Sequence, residues 1–196
     1  MCETPMGDGA PKGFEGYFND GRDRDRRSAL RITCSTLSQL SDKEVAELDA
    51  LRQRALDNYE SASGDHVERR PIREELGCVP GVAGLAPSDK LVFRSYDGDE
   101  LIAYADVACG WPRPIEWTVL QLLLDPAHRL KGVGSALIGS IERLARTAEV
   151  RATSILSLPT RDGATSFWEH LGYADKTSEL ADEVHGSVVT VMRKEL

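Results

Sequence analysis

Between residues 125 and 137 the sequence reads Asp-Pro-Ala-His-Arg-Leu-Lys-Gly-Val-Gly-Ser-Ala-Leu, and the chemistry open to that run is anion binding. Gly132 and Gly134 let main chain approach a ligand with no side chain in the way. A helix starting beside them leaves up to four amides unpaired and carries partial positive charge, so a pyrophosphate settles there. Arg129 and Lys131 add formal positive charge. A bare Gly-x-Gly also fits an ordinary tight turn. Three neighbours favour the ligand: an apolar strand before it, basic residues ahead of the first glycine, and an amphipathic helix behind. No Gly-Lys-Ser/Thr follows, which excludes a P-loop, and Leu137 breaks the Gly-x-Gly-x-x-Gly dinucleotide fingerprint.

The elements that must hold this loop follow from periodicity. Ile115 to Leu124 is a long apolar run and reads as a central strand. Ser135 to about Val150 is a helix with Leu137, Ile138, Ile141 and Leu144 in one stripe. Thr153–Leu158 is a buried strand, Ala164–Leu171 a short helix stopped by Gly172, and Ser187–Met192 a closing strand. Upstream, Leu30–Cys34 alternates as a first strand, and Ser41 to Glu44 forms a capping box for a helix reaching about Tyr59. Residues 60–88 are irregular, with a short helix near Ile72–Leu76. Asp97-Gly98 suits a tight hairpin between Leu91–Tyr96 and Leu101–Val107. The order β-α-β-β-β-α-β-α-β predicts an α/β fold: a mixed, mostly antiparallel sheet with helices on both faces.

Bulk composition sets the limits. Lys and Arg number 24 against 32 Asp and Glu, a formal net charge of −8, which repels nucleic acid and is mildly attractive to an amine. The charge also serves simple solubility. No apolar run approaches the length of a membrane span, and Met1-Cys2-Glu3-Thr4-Pro5 has no basic leader, so a cytoplasmic location is expected. Cys2, Cys34, Cys78 and Cys109 are scattered and the histidines show no paired spacing, so neither a disulfide framework nor a metal site is expected. Residues 1–28, rich in Gly and mixed charge, read as a flexible arm, and 29–196 as one domain. Phe14, Tyr17 and Phe18 leave room for docking on a partner chain, as in a homodimer.

Arg129-Leu130-Lys131-Gly132-Val133-Gly134 resembles the R/Q-x-x-G-x-G/A motif of the GCN5-related N-acetyltransferase (GNAT) superfamily, with Leu-Asp-Pro before it and Ser-Ala-Leu-Ile after. Phe167-Trp168-Glu169-His170-Leu171-Gly172-Tyr173 resembles that family's second signature. The likeness spans roughly residues 30–196 and is densest over 115–173.

The resemblance implies a GNAT-like fold that binds acetyl-CoA as co-substrate. Strand 115–124 would splay from strand 153–158, with the pantetheine arm in the gap, hydrogen-bonded to main chain at Leu122 and Leu124. The diphosphate would lie on the amides of Leu130, Lys131, Gly132, Val133, Gly134 and Ser135, beside Arg129. A neutral amine would attack the thioester carbonyl directly, and coenzyme A would leave as the thiol. The expected acceptor is a primary amine of a small molecule. A protein N-terminus or lysine, and a non-catalytic acetyl-CoA-binding module, are the alternatives. Glu116 is the first candidate for the base, by likeness to the strand carboxylate of some members; Asp106 and His185 stand behind it. Strict alternation would place Glu116, Thr118, Leu120 and Leu122 on one face. His128 is expected at the surface or against the diphosphate. The sequence departs from the family where many members carry a tyrosine acid, here Trp168, and at Leu156 and Arg161, where some place a glutamate and an asparagine.

Overall fold

A computed structural model describes residues 14–18, 30–64, 66–77, 86–157, 164–182 and 187–196. Its strands are β1 (Phe14–Phe18), β2 (Leu30–Ser35), β3 (Lys90–Asp97), β4 (Glu100–Cys109), β5 (Glu116–Leu124), β6 (Ala152–Ser157), β7 (Asp175–Asp182) and β8 (Ser187–Glu195). The helices are α1 (Asp42–Ser63), α2 (Ile72–Gly77), α3 (Val133–Thr147) and α4 (Ala164–His170). The strands form one sheet in the order β1-β2-β3-β4-β5-β6-β8-β7. Every described pairing is antiparallel except β5 with β6, whose connection passes through α3. The expected mixed sheet with helices on both faces is the observed architecture.

Local chemistry explains why these segments fold as they do. The Ser41 hydroxyl accepts the Glu44 amide at 3.3 Å, while the Ser41 amide donates to the Glu44 carboxylate at 2.8 Å. This reciprocal pair satisfies amides that the start of α1 would leave free. The helix continues one turn past Tyr59, because the left-handed residue that stops it is Gly64, with φ +78°. Gly98, at φ +59°, turns β3 into β4.

On one face of the sheet, Leu137, Ile138 and Ile141 of α3 bury against Ile32, Phe93, Val107, Trp117 and Val119, and Trp168 of α4 joins them. Each fully buried Leu or Ile contributes about 2 kcal/mol through the apolar surface it removes from water. On the other face, Leu48 and Leu51 of α1 and Ile72 and Leu76 of α2 cover Val92, Tyr96 and Tyr104.

Two strands differ from the sequence expectation. Within residues 1–28, expected as a flexible arm, Phe14–Phe18 forms an edge strand on β2, from Phe14 opposite Cys34 to Phe18 opposite Leu30; residues 1–13 and 19–28 lie outside the described residues. β7 is polar in sequence and lacks period-two alternation, yet it pairs with β8 along its length.

Candidate active site

The site is set by one extra residue in β5. Asp106 faces Gln121 across the β4–β5 ladder, and Val107 faces Val119, so Leu120 is bulged out of register. A bulge reverses the facing of every later side chain. Leu122 and Leu124 therefore pack on the α3 side with Trp117 and Val119, while Leu123 turns to the α1 side. This corrects the expected alternation, which put Leu122 on the face of Glu116.

The same bulge marks where two strands part. β5 and β6 pair in parallel only from Glu116 opposite Ala152 to Val119 opposite Ile155. Beyond that point β5 follows β4 to Leu124, and β6 follows β8 to Ser157. A wedge opens between them from Leu120 onward, and its mouth leads into the glycine loop.

The loop begins at Asp125, whose amide donates to the Ile102 carbonyl at 2.8 Å and whose carboxylate accepts the Ala127 amide at 2.9 Å. Pro126–His128 makes one tight helical turn. Leu130 (φ +59°) and Gly132 (φ +80°) both adopt left-handed backbone, the conformation that favours glycine and strains other residues. The first described bond of α3 runs from the Ala136 amide to the Gly132 carbonyl at 3.0 Å. Although residues 129–132 form a turn, among the described residues the amides of Leu130, Lys131, Gly132, Val133, Gly134 and Ser135 make no main-chain hydrogen bond of full geometry. Six consecutive donors at a helix start suit a diphosphate in both geometry and charge. A Cβ on Gly132 would meet no atom within 4 Å, whereas one on Gly134 would stand 3.2 Å from Phe167 and 3.6 Å from Leu124. The first glycine is required by backbone conformation, and the second by the packing of α3 on α4 and β5.

The two basic residues divide their duties. Lys131 is exposed, and no carboxylate among the described residues pairs with it. Arg129 donates from Nη1 to Asn58 Oδ1 of α1 at 2.7 Å, so its guanidinium is engaged with the helix. His128 Nδ1 lies 3.6 Å from Asp125 Oδ1 and is buried without a hydrogen-bond partner among the described residues.

Glu116 sits at the joined end of the β5–β6 pair and is only 1% exposed. Arg193 donates to its Oε1 from Nη2 at 2.9 Å and Nε at 3.2 Å, and Arg113 lies 3.6 Å away. Leu120 is four residues further on, about 13 Å along an extended strand. Asp106 lies directly across from the bulge. Lys90 meets its Oδ2 at 2.7 Å, while Oδ1 is buried with no partner among the described residues. Burial pushes the Asp106 carboxyl up to about 6, and the Lys90 ammonium only partly opposes that rise. Around it on the α1 side, the Tyr104 hydroxyl donates to Gln121 at 2.9 Å, Gln121 donates to Glu75 at 3.1 Å, and Arg52 holds Glu75.

Trp168 is buried and packs edge-on to Phe167 and Tyr173, with centroids 4.8 and 5.5 Å away. The Tyr173 hydroxyl is shared with Thr153 at 2.9 Å and reaches Glu142 at 3.3 Å, a core role that burial reinforces by raising its pKa. Leu156 lies half-buried on β6. His185 and Arg161 fall outside the described residues. Sequence reasoning missed Arg54, Asn58, Glu75 and Gln121, for nothing in local spacing ties α1 or α2 to β5. The helix-face position of Arg54 and Asn58, one turn apart, is the sole local hint.

Among curated proteins no relative matches the sequence. In fold the chain is similar to an acetyltransferase from Thermus thermophilus, with TM-score 0.60 at 18% identity over 84% of this chain and 97% of that one. It is likewise similar to the ribosomal-protein-S18-alanine N-acetyltransferase of Escherichia coli, with TM-score 0.59 at 15% identity, covering 84% and 93%. A third is the PaiA N-acetyltransferase of Thermoplasma acidophilum in complex with coenzyme A, with TM-score 0.59 at 16% identity, covering 84% and 99%. At these identities the likeness establishes the fold. The sequence profile of the Acetyltransferase (GNAT) family matches residues 48–173, well over half of the chain and all of the loop, bulge and second signature. The chain belongs to the GNAT family of acetyltransferases.

Proposed function

We propose that this enzyme moves an acetyl group from acetyl-CoA to the primary amine of a small molecule. The observation that carries the reading is the run of six unspent amides from Leu130 to Ser135, at the mouth of the wedge between β5 and β6. Those amides, with the exposed Lys131 beside them, would hold the diphosphate. Main chain at Leu122 and Leu124 would hold the pantetheine arm. When bound, acetyl-CoA supplies an activated acyl group, and the protein's share is to position it and to accept a proton from the ammonium form of the acceptor.

For that proton we read Asp106, in place of Glu116, as the acceptor. Glu116 is occupied by Arg193 and lies remote from the bulge, whereas Asp106 faces Gln121 beside it, within about 5 Å between Cα atoms. Asp106 is 5% exposed and its Oδ1 is unpartnered among the described residues, which suits a slender amine or one bridging water. Titration calorimetry with coenzyme A tests the loop, and thiol release from acetyl-CoA across a panel of amines and peptides tests the acceptor class. Failure of coenzyme A to bind sinks the first, and peptide turnover exceeding that of every small amine sinks the second. Asp106→Asn should lower the rate by roughly 100-fold, within the usual range for a lost general base, and remove the acidic limb near pH 6. A parent-like pH profile in that variant removes Asp106 from the mechanism.

A further inference from the structure

Helix α1 reaches the loop at two rungs. Arg54 Nε donates to Asp125 Oδ2 at 2.8 Å, and four residues later Asn58 Oδ1 accepts from Arg129 Nη1 at 2.7 Å. Residues four apart on a helix stand one above the other. Asp125 and Arg129 are also four apart, so both rungs span 71 residues of chain and bracket the turn Pro126–His128. Asp125 is thus fixed on three sides: its amide on Ile102 of β4, its Oδ1 on the Ala127 amide, and its Oδ2 on Arg54.

The arrangement is more than a surface ion pair. The Arg54 side chain is 46% exposed, and an exposed cation is well screened. Its partner is only 8% exposed, and a buried carboxylate deprived of a donor must find another or rearrange its turn. The next two residues after Arg129 are Leu130, in left-handed backbone, and Lys131, the first part of the amide run. A small rotation of the Pro126–His128 turn would therefore displace the amides of 130–135.

We infer that α1 sets the geometry of the cofactor loop from outside it, with Arg54 acting through Asp125 and Asn58 acting through Arg129 as positioning residues for acetyl-CoA binding. This assigns Arg129 a role different from direct contact with the diphosphate. The inference rests on the reading of residues 130–135 given above, and the experiment separates the two. Coenzyme A is titrated calorimetrically into the full chain and into Arg54→Met, Arg54→Lys, Asn58→Ala, Asp125→Asn, the double variant Arg54→Met/Asp125→Asn, and Gly132→Val, with a thermal melt of each. Arg54→Met should weaken binding roughly tenfold, the effect of losing one charge-assisted hydrogen bond, and Asn58→Ala roughly threefold. Arg54→Lys, which keeps a donor, should restore most of the loss. The double variant should bind no worse than Asp125→Asn alone, because Arg54 acts through that carboxylate. Parent-like affinity in both Arg54→Met and Asn58→Ala, with Gly132→Val inactive in binding, overturns the inference and leaves the loop reading intact. Additive losses in the double variant, or no rescue by lysine, overturn it as well. A parent chain that does not bind coenzyme A removes both.

Discussion

The two ends of β5 differ in one respect that separates architecture from chemistry. At the joined end, polar groups are spent: Glu116 is held by Arg193, and the Thr118 hydroxyl donates to the Trp111 carbonyl at 2.8 Å. At the splayed end Gln121 is also satisfied, by Tyr104 and Glu75, but other groups are not. Among the described residues, Asp106 Oδ1 has no partner across from the bulge, and six amides beyond Leu124 make no main-chain hydrogen bond of full geometry. Unsatisfied polar groups cost free energy when desolvated, and a ligand that paired with them would recover that cost. The joined end fixes strand register, and the splayed end holds the unmet hydrogen-bonding capacity.

The strongest way to break this contrast is to fill the loop. Gly132→Val places a β-branched residue at φ +80°, where its Cβ meets open space but its backbone is strained. Coenzyme A affinity should fall at least about 100-fold as the amides lose convergence, close to the cost of two charge-assisted hydrogen bonds. The fold should survive, as read by circular dichroism. Gly134→Val should differ, because its Cβ would stand 3.2 Å from Phe167. It should lose melting temperature together with binding. If both variants lose only binding, the packing role of Gly134 is wrong.

The joined end gives the opposite signature. Arg193→Met leaves Glu116, 1% exposed, without its principal partner, and breaking one half of a buried pair costs about 3 kcal/mol. Denaturant unfolding should register that loss while calorimetry with coenzyme A shows parent affinity. A large fall in affinity at unchanged stability would erase the distinction between the two ends.

Much of this was legible in the residues, and what was not has a common physical cause. The capping box at Ser41, the Asp97-Gly98 hairpin and the α3 stripe are local patterns, and all three formed where spacing placed them. The loop was legible because glycines, a helix start and basic residues lie close together in sequence. The bulge at Leu120 was not, since an apolar run carries no mark of which residue its neighbour strand will skip. That single slip misplaced Leu122, and alternation alone gave no reason to set Asp106 ahead of Glu116. β7 escaped because its membership depends on β8 offering an edge, and no alternation within Asp175–Asp182 signals it. Arg54 and Asn58 escaped for the same reason at greater range: their partners lie 71 residues away.

A smaller test asks whether satisfied polar groups elsewhere behave as the joined end does. Burial pushes the Glu44 carboxyl up, but hydrogen bonds from Arg94 and from the hydroxyl and amide of Ser41 outweigh it and bring it to about 2. A carboxyl held below its unfolded value binds fewer protons in the native state, so its contribution is present above about pH 4.3, the unperturbed glutamate value, and is lost as pH falls toward 2. Glu44→Gln keeps the shape of the capping box and cannot titrate. Solvent access at Glu44 limits the effect to about 1 kcal/mol or less. The variant should therefore be slightly less stable than the parent at pH 7, and the two should converge between about pH 4 and 2. Coenzyme A affinity should be the same in both, because Glu44 is held by Arg94 and Ser41 within the scaffold, outside residues 125–135. A stability gap that widens on acidification would mean the carboxylate is not held by its partners, and that the contrast seen along β5 does not extend to α1.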